Sequence, residues 1–322
     1  MKRGLVIGLA LAALAGPALA QTRWNLPAAY PSDNFHTENL VQFSKDVASA
    51  TGNKLQLTVH ANASLFKAPE IKRAVQTGQA QMGEVLMSLH ENEDPIYGLD
   101  VVPFVATSFD QAAKLWSAQK PAVEKKLASQ GMMLLYAVPW PPQGIYAKKD
   151  IDKIEDMRGL KWRAYNVGTA RIADLVGAQP VTIQAAELTQ ALATGVVNAF
   201  MSSGSTGYDS KVWESLTHFY DTQAWLPKNI VFVNKAAFDA LDKPTQEGVL
   251  KAAKTAEERG WATAREKSAW YLEQFKAKGM KVAPPSDALK AGFMKVGEQL
   301  AADWTKKAGS DGQAVLDAYK KM

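Results

Sequence analysis

The residues best suited to chemistry in this chain sit at the ends of short apolar runs. Arg163 closes the run Lys161-Trp162-Arg163-Ala164-Tyr165 just before a helical pattern begins. An arginine presents a planar fork of donors that holds a carboxylate through two charge-assisted hydrogen bonds, and the contact is strongest away from water. A surface arginine paired with Asp or Glu fits the same spacing. Ser202 and Ser203 end a second run, where their hydroxyls suit either the same anion or an ordinary turn. Trp140, Tyr146, Tyr165 and Trp225 lie at or near two proline-bearing stretches and suit either an apolar pocket or the core.

Other chemistries lack their residues. With no cysteine in 322 residues there is no disulfide, thiolate metal site, iron–sulfur ligand set or cysteine nucleophile. The four histidines, His36, His60, His90 and His218, share no metal-ligand spacing and read as surface or strand-edge residues, so no metal and no cofactor is expected. Ser202-Ser203-Gly204-Ser205 lacks the Gly-x-Ser-x-Gly spacing of a nucleophile elbow. No phosphate-binding loop or dinucleotide fingerprint occurs. The excess of 37 basic over 32 acidic residues is mild and spread along the chain, which does not argue for nucleic acid.

The elements that must hold these residues follow from pattern. Residues 1–20 carry Lys2 and Arg3, a short apolar run and Pro17-Ala18-Leu19-Ala20, the layout of a secretory signal. The run is too short for a transmembrane helix, which needs about 20 apolar residues. A bacterial periplasmic product is expected, with no membrane insertion after cleavage. No cysteine stands at the cleavage point to take a lipid, and two of the five excess positive charges leave with the signal.

Apolar steps of three and four over Leu40, Phe43, Val47 and Ala50 give a helix stopped by Gly52. Strands are predicted over 54–60, 131–140, 161–165, 196–201 and 229–234, and helices over 70–77, 169–176 and 185–193. Strands alternating with helices predict parallel sheets covered on both faces. Two extended stretches, 138–148 and 222–234, read as crossings between two lobes, so lobe I takes 21–144 plus 229–244 and lobe II takes 145–228. Residues 245–278 contain no proline and keep an apolar face, which predicts a helix of about 50 Å at ~1.5 Å per residue, spanning both lobes. A break at Gly260 is the alternative. Residues 279–322 read as a helical segment packing on the lobes.

Met157-Arg158-Gly159-Leu160-Lys161-Trp162-Arg163 resembles the segment in which the solute-binding proteins of TRAP transporters, the tripartite ATP-independent importers, carry their substrate-binding arginine. Leu175 to Val181, Glu187 and Ala191 to Asn198 follow at the family's distances, and Ala50-Thr51-Gly52, Ala61 to Leu65 and Val75 to Gly78 agree in the N-terminal half. The resemblance covers essentially all of the chain after residue 20. It implies an α/β, two-lobed periplasmic binding protein fold with two crossing strands and a long helix spanning both lobes. It implies that Arg163 anchors a carboxylate, that Ser202 stands where many members have an asparagine near the ligand, and that Glu84 falls near a glutamate contacting polar ligands in some members. It implies an organic acid as ligand and TRAP membrane permease subunits as partners.

The departures are informative. Trp140 to Tyr146 lacks the second arginine that members binding sialic acid or dicarboxylates often carry there. One anion anchor among Trp, Tyr and Phe points to a monocarboxylate with an apolar or aromatic tail. A C4-dicarboxylate or other hydroxy or oxo acid, and a sensor input role, are the alternatives within this fold. A periplasmic hydrolase would need a nucleophile, base and orienter that cannot be assembled here.

Overall fold

The computed structural model describes residues 21–322; the signal sequence read at residues 1–20 lies outside them. The chain starts with β1 (Thr22–Pro27), α1 (Phe35–Ala50) and β2 (Leu55–His60), β1 pairing in parallel with β2. Asn34 caps α1, its Oδ1 accepting from His36 N, and Leu40, Phe43 and Val47 form the buried stripe. Then come α2 (Ala68–Gln76), β3 (Met82–Leu86), two 3₁₀ segments (Met87–His90 and Pro95–Val101), α3 (Phe109–Ser129) and β4 (Met132–Pro139).

After Trp140-Pro141-Pro142 the chain enters β5 (Gln143–Ala147), followed by β6 (Lys161–Ala164), α4 (Val167–Val176), β7 (Gln179–Thr182), α5 (Leu188–Ala193), β8 (Ala199–Ser203), α6 (Gly204–Asp209) and β9 (His218–Tyr220). It returns through β10 (Lys228–Asn234) and α7 (Lys235–Asp239), and ends with α8 (Lys243–Ala277), β11 (Lys281–Ala283) and α9 (Asp287–Lys320).

Two sheets centre the two lobes. One has the order β3-β10-β4, the other β11-β9-β5-β8-β6-β7. The first is antiparallel throughout and the second is mixed, which corrects the expectation of parallel sheets. β10 runs antiparallel to both β3 and β4, and β5 antiparallel to both β8 and β9. These are the strands the chain uses to pass between lobes, and a strand arriving from the other lobe need not follow a right-handed helical crossover.

The helix predicted over 245–278 is α8, 35 residues long, capped by Asp242 and continuous through Gly260. It packs on α1 and β4 in one lobe and on α6 and β11 in the other. Gly260 lies where a Cβ would press into the Val138 side chain and stand 2.9 Å from Asn39 Nδ2, so the glycine buys close approach rather than a break. The tail departs from the all-helical reading. Lys281–Ala283 adds an edge strand in parallel with β9, between Gly279 and Pro284-Pro285, and α9 is interrupted at Gly309 (φ 56°, ψ −143°). Among the described residues no helix is long and apolar enough to cross a membrane.

Candidate functional site

A cavity of about 400 Å³ lies between the two sheets. Its lining includes the ends of β6 (Arg163) and β8 (Ser202, Ser203), Tyr165 and Thr206 just beyond them, Trp140 and Gln143 at one crossing and Pro227 at the other, Tyr30 and Leu86, and two exposed charged side chains, Lys67 and Glu187. A cleft where strand ends from two lobes meet is the usual place for a small-molecule site.

Arg163 is 3% exposed. The pairing of β6 with β7 and β8 fixes its backbone, and its Nε donates to Ile183 O at 2.9 Å. Its guanidinium lies 5.0 Å from the Tyr165 ring centroid and 5.9 Å from that of Phe200. Among the described residues no carboxylate pairs with it and its terminal nitrogens donate to no protein acceptor. Burial pushes its pKa down to about 10, so it stays charged at neutral pH. A buried cation without a counter-charge is costly, and an anion entering the cavity removes that cost.

The wall opposite is aromatic and rigid. Trp140 Nε1 donates to Asn229 Oδ1 at 2.8 Å, and the Trp140 ring meets Tyr30 at 4.7 Å and Phe35 at 5.6 Å, both edge to face. Tyr165 Oη donates to Gln143 Oε1 at 3.3 Å and accepts from Trp225 Nε1 at 3.3 Å, while Gln143 Nε2 donates to Pro141 O at 3.0 Å. That network leaves Gln143 and Tyr165 locked. Ser203 caps α6, its Oγ accepting from Thr206 N at 3.3 Å. The Ser202 hydroxyl has no partner among the described residues and stands on the cavity wall.

Five of the eight residues singled out from sequence therefore meet at the cavity: Arg163, Ser202, Ser203, Trp140 and Tyr165. Three do not line it. Tyr146 points from the other face of β5 into a separate core, stacked on Phe200 at 4.5 Å with its hydroxyl donating to Ser203 O at 2.8 Å. Trp225 stands behind Tyr165. Glu84 is buried behind Tyr30 and Trp140, 3.5 Å from His36 Nδ1. His36 and His90 are buried rather than at the surface, and burial lowers the pKa of both, which leaves them neutral. Sequence reasoning missed Tyr30, Gln143 and Thr206. Gln143 carried one signal, a polar residue directly after Trp140-Pro141-Pro142.

A second buried cation lies near the crossing but is already matched. Lys228 Nζ stands 3.6 Å from Asp100 Oδ2, both fully buried, and Lys228 N donates to the same oxygen at 2.8 Å. Among the described residues no group of three or more His, Asp or Glu side chains is arranged to hold a metal.

Residues 28–307 match the family described as bacterial extracellular solute-binding protein, family 7, also called DctP. The chain belongs to this family. DctP proteins are the solute receptors of TRAP transporters, a family of transport receptors and not of enzymes, and they are periplasmic. Among solved structures, the chain is 61% identical to DctP6 of Bordetella pertussis, an extracytoplasmic solute receptor binding pyroglutamic acid, covering 94% of this chain and 100% of that one with a TM-score of 0.92. A marine metagenome TRAP solute-binding protein specific for pyroglutamate is 48% identical, covering 94% of this chain and 99% of that one, also at a TM-score of 0.92. DctP7 of Bordetella pertussis, again binding pyroglutamic acid, is 43% identical over 93% of this chain and 99% of that one, at the same TM-score.

Proposed function

We propose that this protein is the periplasmic receptor for L-pyroglutamate, a small cyclic monocarboxylate, and that it hands the ligand to a TRAP permease after its signal sequence is removed. The observation that carries the reading is Arg163, a buried cation on the cavity wall with no protein counter-charge. Arg163 takes the carboxylate, the ring methylenes pack on Trp140, Tyr30 and Leu86, and Ser202 meets the lactam. Lys228 is neutralised by Asp100, and Lys67, the other cation on the cavity wall, is exposed, so a dicarboxylate would find no second buried counter-charge. Three relatives that share 43% to 61% of their residues with this chain bind pyroglutamate, which supports the ligand.

The division read from sequence, residues 21–144 with 229–244 as lobe I and 145–228 as lobe II, shifts by up to two residues in this reading, since Gln143 and Gly144 pair with β8 and Lys228 with Pro139; the lobes are joined by the two crossings and by α8, with 279–322 packing on both. Tyr146, Trp225 and Glu84 support the walls without touching ligand.

The test is a melting-temperature screen of the purified protein with L-pyroglutamate, L-proline and succinate. L-Pyroglutamate raises the melting temperature by several degrees at concentrations where the other two do little. A larger shift with succinate contradicts the monocarboxylate assignment, and a larger one with L-proline contradicts the role of the lactam.

A further inference from the structure

Two asparagines flank the cavity, one on each lobe, and both are used in the same way. Asn34 is the N-cap of α1: its Oδ1 accepts from His36 N at 2.9 Å. Its Nδ2 leaves that helix and donates across the cleft to Asp209 Oδ2 at 2.6 Å and to Ser205 Oγ at 3.2 Å, both on α6. Asn166 is the N-cap of α4, its Oδ1 accepting from Thr169 N at 2.8 Å. Its Nδ2 crosses in the opposite sense and donates to Ser88 Oγ at 2.9 Å, while next to it Glu91 Oε1 accepts from Gly168 N at 2.8 Å. Asn34, Ser205, Ser88 and Asn166 are all nine-tenths or more buried.

We propose that Asn34 and Asn166 are the latches of the closed state: each fixes its own helix with its carbonyl and ties the opposite lobe with its amide nitrogens, so that together they set how slowly bound ligand escapes. Three observations support this beyond the contacts themselves. The latches stand on either side of the cavity, each within four residues of its lining: Tyr30 before Asn34, Arg163 and Tyr165 before Asn166, and Ser203 and Thr206 around Ser205. Their partners lie 171, 175 and 78 residues away in sequence, so nothing local keeps them together once the lobes part. The donors are dry, and a hydrogen bond from a buried amide to a carboxylate is stronger than a neutral one in water.

The proposal rests on reading the cleft as a ligand site, and its test separates the two. Serine is as good an N-cap as asparagine but too short to reach the other lobe, so N34S and N166S keep their helices and lose the latch. Dissociation of L-pyroglutamate is followed by stopped-flow tryptophan fluorescence, using Trp140 and Trp225 beside the cavity. Each variant dissociates ligand roughly 10-fold faster, with the association rate nearly unchanged.

N34D adds a readout that a merely structural residue would not give. It keeps the cap but sets a second carboxylate against Asp209, which is also faced by Asp33 from the turn before α1, by Lys267 and Tyr271 from α8, and by Tyr146 from β5; Lys267 is itself shared with Glu38. Ligand escape from N34D is therefore fast at pH 8 and slows toward wild type near pH 5, where one shared proton joins the two carboxylates.

Should L-pyroglutamate not bind the wild type, the functional reading fails, and the latch is read from lobe separation. The chain has no cysteine, so spin labels on L65C and V196C report the distance between lobes. The double variant N34S/N166S then shows a smaller closed population than its parent. Unchanged dissociation rates with bound ligand, or, without binding, identical distance distributions, overturn the proposal. A lower melting temperature with unchanged dissociation overturns it equally.

Discussion

A guanidinium buried without a counter-charge weakens the protein that carries it until an anion arrives. Arg163 is such a group: it has one carbonyl on Nε, two aromatic rings nearby and no carboxylate among the described residues. R163M, similar in length and apolar, therefore melts higher than wild type without ligand, by about 1 kcal/mol or ~2–4 °C in a scanning calorimeter. A lower melting temperature for the variant would mean that the arginine is a structural residue. Arg163 stood out in sequence through the family motif, since its type and strand-end position alone fit a surface ion pair as well. Tyr146 was misread for a reason of parity: Gln143 and Tyr146 are three apart on β5, so the pleat sends them to opposite faces, and Gln143 reaches the cavity. Tyr30 and Thr206 reach the site from loop and helix ends, where no periodicity announces them.

The longest element settles a contest between local propensity and packing. At Gly260 alanine would favour the helix by about 1 kcal/mol, yet its Cβ would press on Val138 and Asn39 where α8 crosses β4 and α1. Overpacking of this kind costs ~1–3 kcal/mol, so G260A lowers the melting temperature despite the better helix former. A rise would show that the crossing has slack. The helix was read from its proline-free length and apolar face with a break at Gly260 as the alternative, and its Asp242 cap came only with the structure. The short edge strand β11 was not, since three residues carry no period and its pairing with β9 is made far along the chain. α3 hides for a different reason. Pro121 sits inside it and interrupts the pattern of a helix that the fold nevertheless keeps.

At the scale of the molecule, the contacts between the lobes hold carboxylates out of water. Burial raises Asp209 to about 7 against the opposing pull of Asn34, and raises Glu91 to about 7 against that of Gly168. Where opening returns these groups to solvent, their affinity for protons falls toward ordinary values, so the closed state binds more protons than the open one. Closure is therefore favoured most below the ordinary carboxylate range, and that advantage is lost as pH rises through about 7. Arg163 stays charged throughout, being lowered only to about 10. Binding of L-pyroglutamate near pH 6 accordingly takes up protons, measured as a dependence of the calorimetric enthalpy on buffer ionisation; proton release would contradict the closure account. None of these inter-lobe contacts is visible in sequence, because each joins residues 77 to 175 positions apart. The central claim is that Arg163 captures a monocarboxylate in this cleft. Titration calorimetry of L-pyroglutamate into wild type and R163M tests it most directly: one ligand per wild-type chain and no measurable heat of binding with R163M is the result predicted, and equal affinity in the two proteins would contradict it.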